Sequence, residues 1–142
     1  MHTVQQILDS KGHDIYSVEP DSIVFDAVRT MAELGIGALL VIENNQPVGM
    51  MSERDYARKV ILEGRKSRET RVSDIMSSPL ITIDCKAKAR EGLALMTEKR
   101  IRHLPVLREG QLLGVVSIGD LVNKVIEDQK YLIEQLERYV AG

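Results

Sequence analysis

The most restrictive feature of the sequence is that it contains the same segment twice. When the chain is shifted by 65 residues, residues 16–61 align with residues 81–126 without a gap. Identical residues recur at matching positions, including Met31/Met96, Leu39/Leu104, Gly49/Gly114, Ser52/Ser117 and Asp55/Asp120. A period this long that occurs only twice is typical of a duplicated domain and not of a solenoid. We therefore expect two copies of one unit, related by an approximate two-fold axis.

Each copy has the pattern of a β-α-β-β-α unit. In the first copy, a short extended piece precedes an amphipathic helix predicted over about 22–34, with Asp21 as its N-cap and Gly35 as its C-cap. Two short apolar strands and a final helix follow, predicted at 38–42, 48–51 and from residue 53. Aromatic residues make up only 4% of the chain, so we expect an aliphatic core. The predicted fold class is α/β in the broad sense (α+β), with two tandem repeats and an extended C-terminal helix.

The division of the chain follows from this alignment. We predict repeat 1 over 1–64, a linker over 65–71, repeat 2 over 72–127 and a C-terminal helical extension over 128–142. The linker is polar and charged and follows a helix stop at Gly64, which favours a solvated segment. Residues 4–7 match residues 72–75 at a larger shift of 68, so the first copy has three extra residues in its first loop.

Composition narrows the functional classes. The formal net charge of −2 argues against a protein that coats nucleic acid. The single cysteine, Cys85, cannot form an intramolecular disulfide, which favours the cytosol. The N-terminus lacks the basic and apolar regions of a secretory signal, and the apolar run at 38–42 is too short to cross a bilayer. We expect a soluble, cytoplasmic protein with no membrane partner.

The sequence carries no catalytic signature. It contains no Gly-x-Ser-x-Gly elbow, no His-Glu-x-x-His metal motif and no phosphate-binding Gly-x-x-x-x-Gly-Lys loop. His2, His13 and His103 are scattered, and no further ligands assemble a metal site around them. We therefore expect a protein that is not an enzyme, without catalytic residues, a metal site or a catalytic cofactor.

Three segments resemble parts of a known family, the CBS domains. Residues 47–56 (PVGMMSERDY) and 112–121 (LLGVVSIGDL) resemble the end of a CBS domain, and residues 99–106 (KRIRHLPV) resemble the start of its second strand. The resemblance covers about residues 1–126. It is to stand-alone tandem CBS-domain proteins and to the regulatory CBS pair of IMP dehydrogenase. It implies clefts between the repeats that commonly hold AMP, ATP or a related adenosine ligand, with NAD(H) and S-adenosylmethionine as further candidates.

The duplicated Ser-x-x-Asp motifs are the first candidate site residues. Ser52 with Asp55, and Ser117 with Asp120, lie where a predicted strand turns into a helix. A carboxylate at this position can accept hydrogen bonds from both ribose hydroxyls, and the serine can meet phosphate. Serine is also a preferred N-cap, and an acid three residues later resembles a capping box. The family resemblance favours ribose binding, and the two roles can coexist.

The remaining candidates are implied by the resemblance. Arg102 and His103 would contact phosphate or base, and Arg54 is a second phosphate candidate; the simpler alternative is a surface arginine and a structural histidine. An adenine ring needs a flat apolar slot with backbone hydrogen bonds. The family places that slot at the first strand and at the start of the second. Here these positions are Ser17, Val18, Gly37, Ala38, Leu39, Thr82, Ile83, Leu104 and Pro105, with Gly119 at the second helix start.

The two copies differ at these positions. Arg102 and His103 align with Gly37 and Ala38, which carry no charge, while the first copy has Glu53-Arg54 where the second has Ile118-Gly119. We therefore expect two chemically unequal clefts.

Our leading hypothesis is a regulatory sensor whose occupancy by an adenosine nucleotide is passed to a regulated partner that the sequence does not identify. One alternative is a ligand-independent, dimeric interaction scaffold. Another is nucleic-acid binding through the basic linker, which the net charge disfavours. We also expect a homodimer, because Val122, Ile126, Gln129, Ile133, Leu136 and Val140 follow the alternating spacing of a heptad seam. Packing of this stripe onto its own domain is the alternative.

Overall fold

The computed structural model describes all 142 residues, which fold into two compact units. One unit is contiguous and consists of residues 15–81. The other, which we call the split unit, combines residues 1–14 with residues 82–142. The spatial units therefore differ from the sequence repeats, because the first 14 residues fold with the second half of the chain.

The elements confirm the predicted α+β class and the repeated β-α-β-β-α order. In chain order they are α1 (Val4–Lys11), β1 (Ser17–Val18), α2 (Val24–Leu34), β2 (Ala38–Glu43), β3 (Gln46–Ser52), α3 (Glu53–Tyr56), β4 (Ile83–Asp84), α4 (Ala89–Lys99), β5 (His103–Arg108), β6 (Gln111–Ser117) and α5 (Ile118–Ala141). Helix α3 continues into a π-helical turn at Ala57–Ile61, and a short 3₁₀ helix covers Val72–Asp74.

Each unit contains one three-stranded sheet. The strand orders are β1-β2-β3 and β4-β5-β6, and in both sheets the first pair is parallel and the second antiparallel. The register of the antiparallel pairs is the same, with an irregularity after Val41 in one sheet and after Val106 in the other. The helices cover an aliphatic core, as expected; in the contiguous unit it includes Met31, Leu39, Val41 and Met51.

Helix α2 starts later than predicted, and Asp21 is not its N-cap. The helix begins at Val24, and the cap residue Ile23 makes no side-chain cap hydrogen bond. Its first backbone N–H groups instead donate to carbonyl oxygens of the following segment, from Val24 to Thr70 at 2.8 Å and from Phe25 to Ser67 at 3.1 Å. Gly35 is the C-cap, as predicted, with a φ of 66°.

The predicted linker is part of the contiguous unit and not a solvated tether along its whole length. Thr70 is buried, and its hydroxyl donates to the carbonyl oxygen of Lys66 at 2.8 Å. In the split unit, the N-terminus of the chain supplies the acceptor for the start of a helix. The backbone N–H of Ala89, at the start of α4, donates to the carbonyl oxygen of His2 at 3.0 Å. The segment before each repeat therefore caps a helix of the unit in which it folds.

Helix α5 extends well past the second repeat. His2 contacts Asp128 through Nδ1 and Oδ1 at 2.6 Å, but every residue from Gln129 onward is exposed. The alternative in which the apolar stripe packs back onto its own domain is therefore wrong for the last 14 residues. No helix has the length and apolar character needed to span a membrane.

Candidate functional site

Both Ser-x-x-Asp motifs are helix caps. Ser52 ends β3, its Oγ accepts a hydrogen bond from the backbone N–H of Asp55 at 3.1 Å, and its own N–H donates to Asp55 Oδ2 at 3.0 Å. Ser117 and Asp120 form the same reciprocal pair at the start of α5, at 3.2 and 2.8 Å. The capping-box interpretation is confirmed, and it places each carboxylate at a fixed position beside a strand end. Ribose binding by these acids stays a prediction.

Asp120 is paired with a cation from the other end of the chain. Lys11 Nζ lies 2.5 Å from Asp120 Oδ2 and also donates to the carbonyl oxygen of Val115 at 3.0 Å. The Asp120 side chain is 24% exposed, and burial by itself acts to raise the pKa of its carboxyl group. Hydrogen bonds from Lys11 and Ser117 outweigh the burial, so the pKa of Asp120 lies below its ordinary value.

Asp55 has a different set of partners. Its Oδ1 accepts from Lys59 Nζ at 3.2 Å and from Ser77 Oγ at 3.2 Å, while Oδ2 accepts from the backbone N–H and hydroxyl of Ser52. Both carboxylate oxygens of Asp55 are thus engaged, whereas the described partners of Asp120 all meet Oδ2. The two motifs share a backbone geometry but differ in electrostatics.

The start of the second strand is tied to the motif helix in each unit. The backbone N–H of Glu53 donates to the carbonyl oxygen of Gly37 at 3.0 Å, and that of Ile118 donates to Arg102 at 2.8 Å. In the split unit, His103 also lies opposite Ser117 in the strand register. The structure therefore places Arg102 and His103 next to the start of the helix that carries Ser117 and Asp120.

The predicted adenine positions vary in accessibility. Leu39 and Leu104 are buried at 1% and 0% exposure, so their side chains belong to the core and only their backbone could meet a ligand. Val18 and Ala38 are half-buried, Ser17 is exposed, and Ser17 pairs with Leu40 across the parallel ladder. Pro105 and Ile83 are buried, Thr82 precedes β4, and Gly119 is exposed.

The basic candidates also lie in different surroundings. Arg102 is exposed, whereas His103 is half-buried at the first position of β5. Burial lowers the pKa of His103, and the nearby positive charges of Lys11 and Arg102 lower it further against the opposing effect of Asp120. His103 is therefore neutral near pH 7. Arg54 is half-buried in the first turn of α3.

Two basic residues that contact strand β6 of the split unit were not among the predicted site residues. Lys11 meets Asp120 across 109 positions of sequence, and His13 Nδ1 lies 3.1 Å from the carbonyl oxygen of Leu113. That contact, together with Asp9, raises the pKa of His13. The only available signal was the match of residues 4–7 to 72–75, which shows that the segment belongs to the repeat but not that it folds with the other copy.

A separate groove lies on the contiguous unit, between α2 and α3. It has a volume of about 420 Å³ and is lined by Val28, Met31, Ile36, Gly37, Glu53 and Tyr56, among others. Gly37 is the only predicted site residue in its lining. Glu53 and Tyr56 belong to the same short helix as Asp55, so the groove lies beside the motif helix of this unit.

Known proteins with similar sequences and structures share this architecture. The family model described as "CBS domain" matches residues 5–62 and 72–127. The "CBS domain-containing protein CBSX3, mitochondrial" of Arabidopsis thaliana is 37% identical, over 99% of this chain and 72% of that protein. A CBS-domain protein from Burkholderia ambifaria is 50% identical with a TM-score of 0.85, over 90% of this chain and 96% of that one. A hexameric CBS-CP12 protein from bloom-forming cyanobacteria is 25% identical with a TM-score of 0.78, over 98% and 82%.

Proposed function

The chain belongs to the CBS-domain family, and we propose that it is a regulatory module that binds an adenosine-containing nucleotide and transmits its occupancy to a partner protein. CBS-domain proteins are regulatory or sensor modules and often bind adenosine ligands. The proposal extends this property to AMP, ATP or a related ligand for this chain. It includes no catalytic step.

The observation that carries the proposal is the duplicated motif at the strand–helix junctions. The carboxylates of Asp55 and Asp120 are each held by a capping box, so their positions are fixed before a ligand arrives. A fixed carboxylate suits the two adjacent hydroxyls of ribose, because a pre-positioned acceptor loses little conformational freedom on binding. The half-buried strand residue Val18 offers apolar surface of the kind that an adenine ring needs.

We also propose that the two Ser-x-x-Asp motifs differ in their affinity for the ligand. Both oxygens of Asp55 already accept hydrogen bonds, from Ser52, Lys59 and Ser77. The partners described for Asp120 meet only Oδ2, and Arg102 and His103 lie nearby. We therefore expect the motif of the split unit to bind more tightly.

A second part of the proposal is a homodimer formed through α5. Ile133, Leu136 and Val140 are 54%, 56% and 84% exposed and lie on one helix face at heptad spacing. A second copy offers an identical stripe, and closed two-fold dimers are the commonest soluble oligomers. CBS-domain proteins commonly oligomerise, and one structural neighbour is hexameric. A larger assembly is therefore the main competing outcome of the test.

The proposed compartment is the cytoplasm. The buried thiol of Cys85 is unpaired, as is usual for proteins kept in a reducing environment. The mitochondrial designation belongs to the Arabidopsis relative. Fractionation of cells that produce the full-length protein tests this part.

The proposed function is tested by ligand-dependent thermal unfolding. AMP, ADP, ATP, NAD(H), S-adenosylmethionine and a short RNA are compared at equal concentrations, with guanosine monophosphate as the matched control. A ligand at about 100 times its Kd stabilises the folded state by about 2.7 kcal/mol, which is readily seen as a rise in Tm. Calorimetry with the strongest ligand then gives the stoichiometry. One tight class supports unequal motifs, two identical classes contradict that part, and no shift with any adenosine ligand favours the ligand-independent scaffold.

A further inference from the structure

We propose that Lys11 makes the Ser117–Asp120 motif selective for an adenosine ligand that carries a phosphate over the uncharged nucleoside. This inference rests on the proposed function, because it concerns the ligand of that same motif. It adds a specificity-determining residue from a helix that lies outside the motif in sequence.

The position of Lys11 is fixed by the packing of α1. Val4, Ile7 and Leu8 are buried in the split unit, and Lys11 is the last residue of the same helix. A β-carbon on Gly114 would lie 3.0 Å from a terminal carbon of Leu8, so α1 lies directly against β6. The helix end is closed by the Gly12 N–H, which donates to the carbonyl oxygen of Leu8 at 2.7 Å.

The charge around Asp120 favours an anionic ligand. Lys11 and Arg102 supply two positive charges and Asp120 one negative charge, while His103 is neutral near pH 7. The cluster therefore has a net charge of about +1 before a ligand binds. The Lys11 side chain is 39% exposed, so its ammonium group can be reached from solvent.

The existing ion pair explains why the nucleoside is disfavoured. A ribose whose two hydroxyls use both oxygens of Asp120 takes the place of Lys11 at Oδ2 and breaks an ion pair and a hydrogen bond. A ligand with a phosphate gives the displaced ammonium group a new anionic partner, whereas adenosine gives it none. The difference in affinity between AMP and adenosine is therefore set in large part by Lys11.

The contiguous unit has no cation at the position that corresponds to Lys11. At the shift of 68 that aligns the two leading segments, Lys11 corresponds to Pro79. The lysine that meets Asp55 is Lys59, which lies four residues later and also donates to the carbonyl oxygen of Ile75 at 2.9 Å. The contribution of Lys11 should therefore belong to the split unit alone.

The test measures the Kd of AMP and of adenosine by calorimetry for the full-length wild type and three variants. We expect Lys11→Met to weaken AMP binding about tenfold, since hydrogen bonds to charged groups are among the stronger ones, and to leave adenosine binding unchanged or tighter. Lys11→Arg keeps the charge and should retain the preference for AMP. Lys124→Met is the matched control, because Lys124 pairs with Glu127 on the surface of α5.

The outcomes separate this inference from the proposed function. If the wild type binds AMP and Lys11→Met leaves the ratio of the two Kd values unchanged, the role of Lys11 is wrong and the function stands. If the wild type binds neither compound, this inference is wrong, whereas the proposed function is refuted only if the other adenosine ligands also fail to bind. If Lys11→Met loses its fold, as judged by circular dichroism, the comparison passes to Lys11→Arg and Lys11→Gln. The ratio compared is the Kd of adenosine divided by the Kd of AMP. Equal ratios in those two proteins overturn the inference, and a smaller ratio in Lys11→Gln than in Lys11→Arg supports it.

Discussion

A β-carbon on Gly49 would lie 2.9 Å from the carbonyl oxygen of Ser77. The two segments are joined by a pair of backbone hydrogen bonds between Met50 and Ser77, at 3.0 and 2.8 Å. The absence of a side chain at residue 49 therefore allows the segment after the predicted linker to lie against β3. In the split unit, Gly114 has the corresponding place, but its neighbour is the side chain of Leu8.

We expect Gly49→Ala to destabilise the protein more than Gly114→Ala. The added methyl group at residue 49 meets a backbone oxygen that is held by hydrogen bonds, and overpacking of this kind typically costs about 1–3 kcal/mol. At residue 114 the three nearest atoms all belong to the side chain of Leu8, at 3.0 Å or more, and a side chain shifts more easily than a hydrogen-bonded backbone. Urea unfolding of both variants measures the difference. A loss for Gly114→Ala as large as for Gly49→Ala would contradict this account.

We expect Asp120→Ala to weaken AMP binding about 10- to 100-fold, because it removes a charged acceptor for the ribose hydroxyls. Asp55→Ala should have a smaller effect, since Asp55 already accepts hydrogen bonds at both oxygens. Asp74→Ala is the matched control, because Asp74 also closes a helix start, with its Oδ2 3.2 Å from the backbone nitrogen of Arg71. Calorimetry gives the three affinities. Unchanged affinity in both motif variants would show that the motifs are helix caps only.

We expect His103 to make the wild-type protein less stable in mild acid. Burial, followed by the charges of Lys11 and Arg102, lowers the pKa of His103 below its ordinary value of 6.5. Below that value the unfolded chain binds more protons than the folded protein, so stability falls as the pH falls toward the lowered pKa. The Tm of the wild type should drop more between about pH 7.5 and about pH 5.5 than that of His103→Gln. His13 is present in both proteins, so its raised pKa cancels in the comparison; equal drops would refute the prediction.

We expect truncation after Asp128 to dissociate the homodimer while leaving the folded units intact. The removed residues include Ile133, Leu136 and Val140, whose exposed side chains form the proposed seam. The contact between His2 and Asp128 is retained in the truncated chain. Sedimentation at micromolar concentration should give twice the chain mass for the full-length protein and the monomer mass for the truncated one. A full-length monomer would show that the seam does not associate.

The repeat pattern was sufficient to predict the fold because both copies carry the same hydrophobic periodicity in the same β-α-β-β-α order. Glycine at residue 35 and apolar residues at 38–42 determine local structure through their own conformational preferences. The start of α2 was mispredicted for the opposite reason. Its cap comes from the carbonyl oxygens of Ser67 and Thr70, and a backbone group leaves no mark in the sequence.

The candidate site was predictable only where its residues lie close together in the sequence. Ser117 and Asp120 are three residues apart, so their reciprocal hydrogen bonds follow from helix geometry. Lys11 reaches the same carboxylate because α1 folds with the second half of the chain. Spacing within a repeat does not show which copy the first helix folds with. Residues 4–7 match residues 72–75 in either case.

The division into a contiguous and a split unit has a consequence for synthesis on the ribosome. Residues 15–81 contain everything that the contiguous unit needs, so it can fold while the rest of the chain is still being made. Helix α1, which precedes that unit in the chain, has to wait for strands β4–β6, and an isolated helix of eight residues is unstable in water. A segment that is translated before the contiguous unit is thus ordered only after that unit can fold. Its apolar residues Val4, Ile7 and Leu8 have no core to pack into until those strands are made.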